Sequence, residues 1–164
     1  MRQADFERLY DAHAQGLFAF LAYRTSDRAL AEDLVADTFE RALRARRRFD
    51  RRRGGEKAWL YAIALNLLRD HLRRQGAEAR AVERAAVPGG AGDETAAALG
   101  RLENRDSLRG ALERLSPEER EAVALRFGAD LSLKEIAAAT GESMTTVEGR
   151  VYRGLRKLRE TLGH

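Results

Sequence analysis

Phe6, Leu9, Tyr10, His13, Leu17 and Phe20 recur at steps of three and four, which places them as one apolar stripe along a helix. Leu30, Leu34, Val35, Phe39 and Ala42 repeat the pattern, as do Leu60, Ile63, Ala64, Leu67 and Leu68. No stretch sustains the period-two alternation of a half-buried strand, so the pattern predicts an all-α chain. Two helix starts are written as capping boxes: Ser116-Pro117-Glu118-Glu119, with proline at the first helical position, and Ser132-Leu133-Lys134-Glu135. Ser143 or Thr145 can cap a further helix running to about Leu162.

Between these helical parts lies GAEARAVERAAVPGGAGDETAAALG, residues 76–100, which has no aromatic residue and three glycines around a proline near its centre. It has little to bury and reads as a flexible linker, its second half already leading into the next helix. The expected organisation is two small helical domains, residues 1–75 and 105–164, joined by a flexible linker over 76–104.

Charge sharpens this picture. The first domain carries 16 Lys/Arg against 11 Asp/Glu, net +5, whereas the linker is net −2 and the second domain net +1. Within the second domain, residues 143–164 hold five basic and two acidic side chains. Cations focused in two places point to a polyanionic partner. The chain has no cysteine, which excludes disulfides and thiolate metal sites. It opens on Met1-Arg2-Gln3-Ala4-Asp5, without the apolar core of a signal peptide, and no apolar stretch is long enough for a bilayer. A cytoplasmic protein without membrane insertion is expected.

The second cationic focus lies in SLKEIAAATGESMTTVEGRVYRGLRKLRETL, from Ser132. Two short capped helices around Gly141 suggest a helix-turn-helix, with glycine supplying positive φ at the turn and Val147 packing back on Ala137. Met144, Val147, Val151, Leu155 and Leu158 form the expected buried stripe. Thr145, Thr146, Glu148, Arg150, Arg153, Arg156 and Lys157 occupy the other face, short and polar first, cationic later. That order suits a recognition helix whose early residues meet base edges while later cations meet phosphates. The plainer alternative is a helical hairpin with a solvated basic face.

The first focus is RALRARRRFDRRR, Arg41–Arg53, eight of whose thirteen residues are arginine. Such a loop can grip a phosphate backbone bidentately. In the following WLYAIALNLLRDHLRRQ, Trp59, Asn66 and Arg73 are seven apart and share one side of a helix. An aromatic, an amide and a cation there can stack on, hydrogen-bond to and charge-pair with unpaired nucleotides. Alternatively Trp59 belongs to the core and Arg73-Arg74 to a solvated helix end. On the preceding helix Asp33, Asp37 and Glu40 share a face, either for a basic partner or for internal pairs with Arg41 and Arg44.

AEDLVADTFERAL (Ala31–Leu43), WLYAIALNLLRDHLRR (Trp59–Arg74), LSPEEREAVALRF (Leu115–Phe127) and the ending TTVEGRVYRGLRKLR together resemble the extracytoplasmic-function (ECF) group of the sigma-70 family, in order and spacing over nearly the whole chain. The resemblance implies a sigma2-like bundle and a sigma4-like helix-turn-helix, and an alternative sigma factor that brings core RNA polymerase to promoters. Asp33, Asp37, Phe39 and Glu40 match the region that binds the polymerase clamp helices, and the polymerase flap is the further contact expected in the core enzyme. Arg46, Arg47, Arg48, Arg51, Arg52, Trp59, Asn66, Arg73 and Arg74 fall in the part that engages the −10 element and captures a flipped base. Thr145, Thr146, Glu148, Gly149, Arg150, Tyr152, Arg153, Arg156 and Lys157 fall in the part that reads the −35 element. An anti-sigma partner is also implied, and no cofactor or metal. Three positions depart from the family: Ala36 where glutamine is usual, Glu148 where a basic residue is usual, and Gly149 where serine is usual. Glu148 repels phosphate but can accept from cytosine N4, so an unusual upstream element is expected. A polymerase-independent helix-turn-helix regulator would not need the arginine loop or the Trp59-Asn66-Arg73 side. An enzyme is disfavoured, since P-loop and HExxH motifs are absent and His13, His71 and His164 are scattered.

Overall fold

The computed structural model describes the backbone of residues 2–85 and 102–163, and the side chains of residues 2–76 and 107–163. Every regular element among them is helical, as the periodicity predicts. They form two compact units, the first holding α1 (Gln3–Thr25), α2 (Arg28–Arg44), two 3-10 turns (Arg46–Arg48 and Arg51–Arg53) and α3 (Glu56–Ala85). The second holds α4 (Leu102–Glu113), α5 (Pro117–Val123), most of α6 (Leu133–Thr140), and α7 (Met144–Leu162).

In the first unit α1, α2 and α3 pack on one another. Leu9, Leu17, Phe20 and Leu21 of α1, Ala31, Leu34, Phe39 and Ala42 of α2, and Leu60, Tyr61, Ala64, Leu65 and Leu68 of α3 form the buried interior. Phe20 and Tyr61 meet edge to face, 5.9 Å between ring centroids, and burial pushes the Tyr61 phenol up to about 12. Asp27 caps α2, its carboxylate accepting from the Leu30 N–H at 3.1 Å. Gly76 (φ +50°, ψ −142°) interrupts α3 where the linker was expected to begin. The backbone is helical again from 77 to 85, over AEARAVERA, a run of strong helix formers. The centre of the expected linker, around Pro88, lies outside the described residues.

In the second unit α4 and α5 both pack on α7, around buried Ala111, Leu115, Val123 and Leu158. Both capping boxes are formed. Ser116 Oγ accepts from the Glu119 N–H at 3.1 Å while the Ser116 N–H donates to the Glu119 carboxylate at 3.0 Å. Ser132 and Glu135 make the same reciprocal pair at 3.0 and 2.8 Å. Ser143, rather than Thr145, caps α7, accepting from the Thr146 N–H at 3.1 Å. Arg120 reaches back to the end of α4 and its guanidinium donates to the carbonyls of Leu112 at 3.1 Å and Leu115 at 3.4 Å. Those carbonyls close a helix and its following turn, and Leu112 accepts from the Leu115 N–H as well, at 3.1 Å. Gly141 takes the turn at φ +78°.

The buried stripe of α7 is Val147, Val151, Gly154 and Leu158. One sequence expectation fails in detail: Met144 is 41% exposed and lies outside the stripe. Ala137 is half-buried, and Ile136 and Ala139 are the buried residues of α6. A close approach falls at Gly154, where a Cβ would lie 2.7 Å from Val123 Cγ2 and 3.3 Å from Leu115 Cδ2. Glycine at 154 is what lets α7 seat against α5.

Candidate nucleic-acid interface

At about 100° per residue, Thr145, Gly149, Tyr152 and Arg156 fall within about 60° of arc on α7, with Glu148 about 40° beyond one edge of it. Their centre lies opposite buried Val147, Val151, Gly154 and Leu158. Thr145, Glu148, Tyr152 and Arg156 are accordingly exposed, Tyr152 at 64%. An exposed stripe of hydroxyl, carboxylate, phenol and guanidinium offers donors and acceptors to base edges and a cation to phosphate.

Of the other cations of α7, Arg159 is exposed beside this stripe, whereas Lys157, Arg153 and Arg150 each lie near a carboxylate. The Lys157 ammonium lies 2.8 Å from Glu119 Oε1 and Arg153 Nε lies 3.5 Å from Glu119 Oε2. The Glu119 side chain is only 8% exposed. The hydrogen bond from Lys157, then the Ser116 N–H and the two positive charges, outweigh burial and hold its carboxyl below the usual glutamate range. Arg150 sits 3.9 Å from Glu142 with little of its side chain exposed. Lys157, expected on the phosphate-facing side, supplies the cation that this buried carboxylate needs. Arg153 is shared, half exposed yet paired. Thr146 is half-buried and its hydroxyl accepts from the Ser143 hydroxyl at 2.9 Å, so it serves the cap.

In the first unit Asp33, Asp37 and Glu40 are exposed along one face of α2. Glu40 pairs with Arg44 at 3.3 Å, one of the two internal pairs that spacing allows. Neither Asp33 nor Asp37 has an ion pair among the described residues. Phe39 does not join them at the surface. It is 5% exposed, edge-on to Tyr10 at 4.8 Å and Phe6 at 6.2 Å between centroids. Its ring helps line an open groove of about 770 Å³, with Phe18, Val35 and Leu43, and with Glu32 and Glu40 at the lining's acidic positions. Phe39 is thus a core residue lining a groove and not part of the acidic stripe, because it falls on the α1 side of the helix. The departing Ala36 lines the same groove.

The arginine run folds as two 3-10 turns. Asp50 begins the second, its carboxylate accepting from the Arg52 N–H at 2.9 Å. Gly54, at φ +148° and ψ 169°, adopts backbone that only glycine enters readily and leads the chain into α3. Arg47, Arg48, Arg51 and Arg52 project into solvent. Arg46 instead donates to the Leu43 carbonyl at 2.8 Å and finishes α2. Trp59 is half-buried and stacks obliquely on Phe49, 5.1 Å between centroids. Beside this pair an open cavity of about 340 Å³ is lined by Arg2, Asp5, Phe49, Arg51 and Glu56, with Arg51 and Glu56 3.6 Å apart.

Asn66 is exposed, which removes the need for a partner among apolar neighbours. It lines a separate depression of about 630 Å³ with Arg41, Arg69, Asp70, Leu72 and Arg73. Arg73 pairs with Asp70, and Arg74 is exposed. Asn66 and Arg73 are thus brought together, but Trp59 is not with them. Fourteen residues of helix separate Trp59 from Arg73 by about 21 Å, so a shared side is not a shared pocket. Sequence reasoning also missed Phe49, Arg41 and Glu119. An aromatic residue inside an arginine run was the available signal for Phe49, whereas the contact of Glu119 with Lys157 spans 38 positions and leaves no local trace.

Residues 9–78 match the family model of Sigma-70 region 2, and residues 105–158 that of Sigma-70, region 4. The chain is 38% identical to the RNA polymerase sigma factor CarQ of Myxococcus xanthus, over 98% of this chain and 91% of CarQ. It is 33% identical to the ECF RNA polymerase sigma factor SigL of Mycobacterium tuberculosis, over 94% of this chain and 86% of SigL. The chain belongs to the ECF group of the sigma-70 family. This sigma factor is also similar to a solved structure, the sigma factor RpoE in complex with the anti-sigma factor NepR from Bartonella quintana. The TM-score is 0.75 at 30% identity, covering 96% of each chain. As a sigma factor the protein serves promoter-specific initiation of transcription by RNA polymerase, a non-enzymatic role. Among the described residues, no helix is long and apolar enough to cross a membrane.

Proposed function

We propose a division of this role between residues 1–75, which bind core polymerase and the −10 element, and residues 105–164, which read the −35 element, with 76–104 as the tether. The observation that carries it is the pairing, in one chain, of an exposed polar and cationic stripe on α7 with an arginine loop beside an aromatic pair. Thr145, Glu148, Gly149, Tyr152 and Arg156 meet the −35 duplex. Glu148 favours cytosine through its exposed carboxylate. The cavity of Phe49, Arg51 and Glu56 suits a base taken out of the stack, because it offers a ring edge with a cation and an acceptor beside it. Arg47, Arg48, Arg51, Arg52 and Arg74 hold the strand's phosphates, and Asn66 with Arg73 receives a neighbouring nucleotide.

Asp33, Asp37 and Glu40 form the contact for the clamp helices of core polymerase, beside the groove that Phe39 helps line. The flap is the partner proposed for the second unit. An anti-sigma factor is proposed as a regulatory partner, since the similar RpoE structure was solved with NepR.

Run-off transcription with purified protein and core polymerase on host promoter fragments tests the division. Asp33→Lys with Asp37→Lys is expected to abolish co-purification with core polymerase while leaving the fold intact. Asn66→Ala is expected to lower transcript yield by roughly tenfold, equivalent to about 1.4 kcal/mol, within the range for one lost base contact. Glu148→Lys should change which upstream sequences are used. Retained polymerase binding by the double lysine variant, or unchanged promoter choice with Glu148→Lys, overturns the corresponding part.

A further inference from the structure

Lys157 and Arg153 are held by a residue that has no nucleic-acid contact in the proposed division. Glu119 opens α5, closes the Ser116 capping box, and receives Lys157 at 2.8 Å and Arg153 at 3.5 Å. Its side chain is 8% exposed, whereas those of Lys157 and Arg153 are 38% and 52% exposed. The carboxylate is therefore the fixed partner and the two cations are the ones drawn inward. Gly149 completes the arrangement. A Cβ at 149 would lie 2.9 Å from Arg153 Nη1, so the glycine leaves the guanidinium room to lie back along the helix toward its N-terminus.

We propose that Glu119 is a specificity-determining residue that withholds Lys157 and Arg153 from DNA phosphates and so limits the sequence-independent attraction of α7 for DNA. Phosphate contacts add affinity for every sequence equally, whereas base contacts discriminate. An α7 with all its cations free would hold random duplex more tightly, and the discrimination supplied by Thr145, Glu148 and Tyr152 would count for less. With two cations engaged by the one Glu119 carboxylate, Arg156 is the cation left at the centre of the exposed stripe, with Arg159 exposed at its side.

The proposal rests on α7 being the duplex-facing helix, and the experiment separates the two ideas. The full chain is titrated with random-sequence duplex over a range of salt concentrations. The slope of log K against log salt is compared among wild type, Glu119→Gln, Lys157→Ala and Arg156→Ala. Glutamine at 119 keeps the acceptor of the capping box and removes the charge. Each phosphate contact contributes about 0.9 to the slope. Glu119→Gln is expected to tighten binding at low salt and steepen the slope by up to about 1.8, for two released cations. Lys157→Ala should leave the slope unchanged, and Arg156→Ala should reduce it by about 0.9. Lys157→Ala needs no change at Glu119, so it remains decisive if Glu119→Gln folds poorly. A slope reduced as much by Lys157→Ala as by Arg156→Ala, or no tightening with folded Glu119→Gln, overturns the proposal and leaves the α7 reading standing. No effect of Arg156→Ala overturns the α7 reading itself.

Discussion

Replacing Gly154 by alanine sets two effects against each other in the interior of α7. Alanine is the better helix former, by about 1 kcal/mol. Its methyl, however, would sit 2.7 Å from Val123 Cγ2, about 1 Å inside ordinary carbon contact, and 3.3 Å from Leu115 Cδ2. Val123 and Leu115 are 6% and 3% exposed. A β-branched valine on a helix has one strongly preferred rotamer, so its methyl cannot swing aside. Relief must come from moving α7 off α5, and overpacking of this kind costs about 1–3 kcal/mol. The steric effect outweighs the propensity gain, for a net loss of up to about 2 kcal/mol, or up to roughly 16 °C in the melting of a unit this size. Gly110 is the control: it lies within α4, and a Cβ there meets nothing within 4 Å. Gly110→Ala should gain about 0.5–1 kcal/mol. Urea and thermal denaturation of the full chain, followed by far-UV circular dichroism, compares the two. Equal stabilisation by both substitutions refutes the close approach at Gly154.

Arg120→Met keeps the apolar stem and removes the guanidinium from the carbonyls of Leu112 and Leu115; Leu112 keeps the Leu115 N–H as donor, so a loss of about 1 kcal/mol is expected in the same denaturation assay. Tyr61 stays protonated in the folded chain up to about 12. The unfolded chain ionises first, so this contribution to stability is intact below the ordinary tyrosine value and is lost as pH rises above it. Ultraviolet titration should show one of the four tyrosines ionising late, and four that ionise together in a chain with native dichroism would contradict that. Glu119 behaves in the opposite sense: its depressed carboxyl stabilises the fold above the ordinary glutamate value, and the contribution fades as pH falls through its lower folded value. The acid side of a stability profile should therefore be flatter for Glu119→Gln, and an unchanged profile would show that the carboxylate's partners do not favour its charge.

Local signals were legible in the sequence. The three apolar stripes, both capping boxes, the turn at Gly141 and the end of α7 at Leu162 all depend on residues within about a turn of one another, and the structure reproduces them except at Tyr10, which is 48% exposed. What depended on depth or distance was less legible. Phe39 and Glu40 are neighbours in sequence, yet one enters the core and the other faces solvent, because a step along a helix is about 100°. Trp59 and Arg73 share a side but are too far apart to share a nucleotide. Lys157 reads as one more cation on a basic face, and its carboxylate partner lies on α5, 38 positions away in sequence. Gly154 stood in plain sight in RGLRK, but its meaning lay in Val123, on another helix.

Glu119 and Arg120 are adjacent and bind in opposite directions, one to α7 and the other to the end of α4. A helix of seven residues (Pro117–Val123) thereby has its rotation fixed at both neighbours by two consecutive side chains. A substitution there removes the contacts of one side chain and leaves those of its neighbour. Inserting or deleting a single residue between Ser116 and Arg120 would turn the pair by about 100° and break the cap, the ion pair and the carbonyl contacts together. The five-residue stretch should therefore tolerate changes of letter far better than changes of length, and alignments of close relatives should show no gaps there.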